Sequence, residues 1–154
     1  MFRTPMSLFR ILAIAEMISW TLLIVGLIAR ALFDVSLAVT VGGSIHGFVF
    51  LAYGATALVV ALNQRWGLGT ASVAIGSAIV PYATLPVERW LQRTGRLGGE
   101  WRVRASDDPR DQRPVDRALR FLLARPGVLA AVVIAAVAAV FVVLLVIGPP
   151  GGRG

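Results

Sequence analysis

Apolar residues run through this chain in four long blocks, broken by short polar turns and by one extended polar segment. The blocks cover about residues 8–33, 37–62, 68–87 and 128–147. Each is near or above the roughly 20 apolar residues that a helix needs to cross the hydrocarbon core of a bilayer. None alternates with period two, and a lone helix satisfies its own backbone in lipid, so the blocks predict helices and not barrel strands. The turns at 34–36 and 63–67 are short, which makes the first three spans antiparallel neighbours. The expectation is an all-α polytopic membrane protein with four transmembrane helices. A three-span core covers residues 1–93, an Arg-rich linker loop 94–125, and a fourth transmembrane helix with a short tail 126–154.

Composition sharpens this picture. Of 154 residues, 57% are hydrophobic and 15% charged, with mean hydropathy +0.79; soluble domains carry about 25% charged residues. The absence of cysteine excludes disulfides, thiolate metal sites and cysteine nucleophiles. Ala29-Arg30-Ala31 has the small-x-small form of a cleavage site. The apolar run before it nevertheless exceeds a signal core and contains Glu16, so retention of the first span is expected.

The net charge of +7 rests on fifteen arginines and no lysine. Ten of those arginines, against six acids, fall between Glu88 and Arg125. The middle of that segment, ASDDPRDQRP, has no apolar period and reads as a solvated linker. Trp90 and Trp101 suit the headgroup zone. A basic segment beside apolar spans points to the lipid bilayer and anionic lipid headgroups, and no nucleic acid is expected as a partner. With four spans and both termini outside, the inner loops hold eleven arginines and the outer segments four. The expected location is therefore a multi-pass protein of the plasma membrane with the long loop 88–125 cytoplasmic.

Two ionisable residues lie inside the apolar blocks. Glu16 shares a helical stripe with Ala13 and Trp20, with Ser19 alongside, and His46 shares one with Phe50 and Tyr53. Such groups face a partner or a water-filled path. Glu16, Ser19, His46 and Tyr53 are thus the candidate intramembrane polar cluster. Depth arithmetic puts Glu16 and His46 within an offset of roughly 5–15 Å, which leaves open a direct bond or one bridged by water or Tyr53. Gly43, Gly47, Gly54, Gly69 and Gly76 are the candidate helix-packing residues, Gly43 and Gly47 forming a GxxxG pair.

Catalytic chemistry lacks its parts. A hydrolase relay needs a histidine held between nucleophile and carboxylate, and Ser44 projects away from His46 on a helix. One histidine cannot hold zinc, and no motif supports haem or another cofactor.

The stretches FRILAIAEMISW, VTVGGSIHGFVFLAYGA, QRW and IVPYATLPVERWLQR resemble the family called domain of unknown function 3817, YdzA-like small bacterial integral membrane proteins. The resemblance spans about residues 7–93. It maps onto Arg10, Glu16, Ser19, His46, Gly47, Tyr53, Trp66, Pro81 and Thr84, and departs at Met17 and at Tyr82-Ala83. It implies a three-span membrane core and no assigned activity. Two functions stay open: a non-enzymatic structural or accessory component, in a larger membrane complex or a homo-oligomer, or a small proton or cation transporter or channel using Glu16 and His46.

Overall fold

The computed structural model describes residues 4–148, and within them every regular element is helical. Helix α1 runs Pro5–Phe33 and α2 runs Ser36–Gln64. They are followed by α3, Leu68–Gly76, α4, Thr84–Arg93, α5, Pro114–Leu123, and α6, Pro126–Ile147. Thr4 starts α1 with a reciprocal cap, its hydroxyl accepting from the Ser7 amide while Ser7 accepts from the Thr4 amide. Asp34 and Arg65 end α1 and α2 in the left-handed conformation, with φ of 55° and 53°. Their amides close onto the preceding carbonyls, which turns the chain sharply at each end.

Three helices, α1, α2 and α6, are long and apolar enough to cross a membrane. The third predicted span is not one of them. Pro81 has no N–H to donate and pushes the residue before it out of the helical region. Val80 is accordingly extended (φ −102°, ψ 123°), after a single 3-10 turn at Ser77–Ile79. Tyr82 then adopts φ 64° and α4 begins at Thr84. Pro86 does no harm there, since an amide in the first helical turn has no intrahelical acceptor anyway.

The break makes a hairpin that returns to the end from which it came. At its tip, Trp20 Nε1 donates to the Ala78 carbonyl at 3.1 Å, and Tyr82 Oη lies 3.4 Å from Thr21 Oγ1, both midway along α1. Thr84 Oγ1 then donates to the Ala13 carbonyl, and Arg10 meets Glu88 and Gln92 at 3.0 and 2.7 Å. Trp66, just after α2, donates to the Arg96 carbonyl at 2.8 Å. Both feet of the hairpin therefore stand beside the start of α1 and the end of α2. A core of Phe9, Tyr53, Val60, Ala74, Leu91 and Leu97 fills the space between them.

This geometry corrects the expected topology. The start of α1, the α2–α3 turn and the segment after α4 share one end of the bundle, whereas four spans put the first two opposite the third. Helix α6 begins at that end and packs along α2 to the other, its Phe141 meeting Phe48 edge-on at 6.1 Å. The start of α1 and the end of α6 thus lie at opposite ends. The termini themselves, with Arg3 and Arg153, lie outside the described residues.

The polar segment is likewise more than a solvated linker. It contains a 3-10 turn at Pro109–Gln112 and the ten-residue α5. Leu119 and Leu123, four residues apart, give α5 its buried edge.

Candidate functional site

The centre of the α1–α2 interface holds the polar cluster. Ala13, Glu16 and Ser19 are fully or almost fully buried along one stripe of α1. Ser19 Oγ lies 3.1 Å from Glu16 Oε2 and 3.0 Å from His46 Nδ1, and also reaches the Glu16 carbonyl at 2.9 Å. Glu16 Oε1 is 3.8 Å from His46 Nδ1. The hydroxyl is therefore the bridge between carboxyl and imidazole. Trp20, one turn beyond Glu16, packs its ring against His46 at 4.3 Å, and Phe50 flanks the other side at 6.1 Å.

Ser19 has one proton to donate and three acceptors within reach. Two hydrogen-bond orders satisfy it. In one, His46 Nδ1–H donates to Ser19 and Ser19 donates to Glu16; in the other, a protonated Glu16 donates to Ser19 and Ser19 donates to His46. Either way Glu16 Oε1 has no hydrogen-bond partner although it is buried. A hydrolase relay places the imidazole between hydroxyl and carboxylate. Here the order is inverted, which removes the geometry for activating Ser19 as a nucleophile. No group of three or more potential metal-ligating residues occurs among the described residues.

Tyr53 stands apart from this cluster. Its hydroxyl donates to the Ala74 carbonyl at 2.9 Å and meets Ser77 Oγ at 3.0 Å, tying α2 to the hairpin. Phe9 packs on its ring at 5.4 Å. Of the links left open by the sequence (direct, through water or through Tyr53), Tyr53 makes none, and Ser19, one helical turn from Glu16, is the bridge.

The closest backbone approaches fall at two glycines outside the predicted set. A methyl group on Gly26 would lie 2.7 Å from the Ala38 carbonyl oxygen, and one on Gly42 would lie 2.8 Å from that of Leu22. These two allow α1 and α2 to meet backbone to backbone. Gly43 meets only the end of Leu23 at ordinary distance, and Gly47 faces the Phe141 ring of α6 at 3.3 Å. Gly54, Gly69 and Gly76 face open space. The spacing rule finds the small-residue faces but cannot tell which of them a neighbour covers.

A second polar centre, unseen in the sequence, lies at the end shared by α2 and α5. Asp111 is 2% exposed and accepts from the Ser106 amide and hydroxyl at 2.7 and 2.8 Å. It pairs with Arg65, and with Arg102 and Arg120 at 3.2 Å each. The Ser106 donors, ahead of the arginines, hold its carboxyl below the usual range. Asp108 pairs with Arg65 and Arg110, and the Arg110 bonds hold its carboxyl below the usual range as well. Arg102 also donates to the carbonyls of Leu62 and Asn63 at 2.7 and 2.6 Å and so caps α2.

Beside this network a cleft of about 260 Å³ opens between the end of α2 and α5. A second cleft, lined by apolar residues around Gly26 and Gly42, lies at the opposite end. Neither is lined by Glu16, Ser19 or His46.

Comparison with known proteins places the core. No solved structure matches the chain. A Streptomyces coelicolor protein named "Putative membrane protein SCO5905" is 33% identical over 88 residues, 56% of this chain. The chain spans only 10% of that relative's length. Residues 6–93, which hold α1, α2, the hairpin and the Glu16–Ser19–His46 cluster, match the model of the family described as domain of unknown function (DUF3817), and the chain belongs to that family.

Proposed function

We propose that this chain is a non-enzymatic accessory module of the bacterial plasma membrane, crossing it three times. The observation that carries this reading is the polar cluster that bridges α1 and α2. Ser19 joins the Glu16 carboxyl to the His46 imidazole across two helices in backbone contact, an arrangement suited to fixing helix register. The relative supports it as well, since there the matched unit is a small part of a much longer chain named as a membrane protein. Arginine asymmetry supplies the orientation. Among the described residues, Arg10, Arg65 and the ten of 88–125 lie at one end, and Arg30 alone lies at the other. The positive-inside rule turns the crowded end, with α5, to the cytoplasm. Isolation in mild detergent tests the role: a stoichiometric membrane partner is expected, and a solitary chain at native expression levels overturns it.

A second reading is a proton or cation relay, favoured by one observation, the buried and unpartnered Glu16 Oε1. Ionisable groups in such positions mark proton pathways. Purified protein in vesicles carrying a pH-sensitive dye would acidify faster than vesicles containing Glu16→Gln. Equal rates for the two remove this reading.

A further inference from the structure

We infer that the cleft between α2 and α5 is a binding site for the phosphate headgroup of an anionic phospholipid. Its walls have the two characters such a molecule needs. Ala61, Leu62 and Trp66 bring the apolar end of a spanning helix, and Val115 and Leu119 bring the apolar edge of α5. Arg65, Arg110 and Arg113 line the rim.

The charges do not cancel there. Arg65 is committed to Asp108 and Asp111, and Arg110 to Asp108. Asp116, which also lines the cleft, is held by Arg102 at 3.0 Å. Arg113 is exposed and pairs with no acidic side chain among the described residues. A guanidinium presents a planar fork of donors matched to phosphate oxygens. Arg65 Nε, 4.0 Å from Asp116, is buried, so Arg113 supplies the donors that a phosphate in the cleft can reach.

Location selects a lipid over a free phosphate. The floor belongs to α2, which crosses the hydrocarbon, and α5 leads directly into α6 through Ala124 and Arg125. Phe121 and Val115 leave 54% and 59% of their surface uncovered on α5. Such a helix lies in the interface with its apolar residues at the acyl boundary. Basic pockets at the cytoplasmic ends of spanning helices take lipid headgroups for the same reason.

The test uses the full chain in detergent, where orientation in a membrane plays no part, so failure here is distinguishable from failure of the topology. Phosphatidylglycerol, phosphatidylcholine and inorganic phosphate are titrated separately, and bound lipid is read by native mass spectrometry. One tightly held phosphatidylglycerol is expected, about fivefold weaker in Arg113→Gln. Arg30→Gln, at the other end, leaves binding unchanged. Arg113 forms no side-chain contact that folding requires, and an unaltered melting temperature of Arg113→Gln checks this. Equal retention of phosphatidylcholine, or no effect of Arg113→Gln, overturns the proposal. Displacement of the lipid by millimolar inorganic phosphate would make this a free-phosphate site and overturn it equally.

Discussion

Ser19 Oγ stands between Glu16 and His46, 3.1 Å from the carboxyl and 3.0 Å from the imidazole, while carboxyl and imidazole remain 3.8 Å apart. The coupling between Glu16 and His46 therefore runs through a hydroxyl. Glu16→Gln and His46→Leu should each lower stability in detergent by about 1–3 kcal/mol, and the double variant by less than the sum. In a Ser19→Ala background that coupling should collapse. Undiminished coupling without the hydroxyl would mean the direct contact carries the interaction.

Backbone contact at Gly26 and Gly42 makes a second prediction. Gly26→Ala and Gly42→Ala drive a methyl group into a carbonyl of the facing helix, and each should cost about 1–3 kcal/mol. Gly54→Ala meets nothing within 4 Å and should be neutral or stabilising by up to about 1 kcal/mol, as alanine is the better helix former. Thermal unfolding of the three variants separates the outcomes. Equal tolerance would show that α1 and α2 do not touch at these residues.

Topology is read by single cysteines, which the native chain lacks. Asp107→Cys, beside α5, should be shielded from an impermeant thiol reagent in intact cells. Ser36→Cys, at the far end of the α1–α2 pair, should be labelled. Shielding at both positions would return the hairpin to a full crossing.

The Asp108 and Asp111 carboxyls are held below their ordinary value of 3.8 by the Arg110 bonds and the Ser106 donors respectively. Depressed carboxyls stabilise the folded form at every pH above 3.8, and that contribution is lost as pH falls through their folded values. Docking of α5, followed by hydrogen exchange at its amides, should stay constant from pH 8 to about 4 and loosen only below that. Loosening between pH 6 and 5 would show that these carboxylates do not hold the segment.

The three long helices were legible because an apolar run of membrane length has few other structures open to it. The hairpin was not, although its cause was in plain view. A hydropathy window counts Pro81 as one tolerable residue among twenty, while the backbone feels it as a lost donor and a forced extended neighbour. Helical spacing placed Glu16, Ser19 and His46 on facing stripes but could not choose Ser19 over Tyr53 as the bridge. That choice depends on the helix-to-helix distance, set by Gly26 and Gly42. Helix α5 was hidden by its charge: Leu119 and Leu123 have helical spacing, but the surrounding arginines read as a solvated run. The ion pairs of Arg65 with Asp108 and Asp111 join residues more than forty positions apart, which no local pattern announces.

The hairpin also gives the molecule a shape. Its tip stops at the level of Trp20 and Thr21, so α3 and α4 widen only the half of the bundle nearest α5. Beyond that level α1 and α2 continue with only α6 beside them, and large side chains such as Leu27, Leu32 and Val41 are exposed around them. Over the described residues the protein is a wedge, broad at the end that carries α5 and narrow at the other. A bilayer crowded with copies would need more lipid on the narrow side to fill its area, and that imbalance is one that membrane curvature relieves.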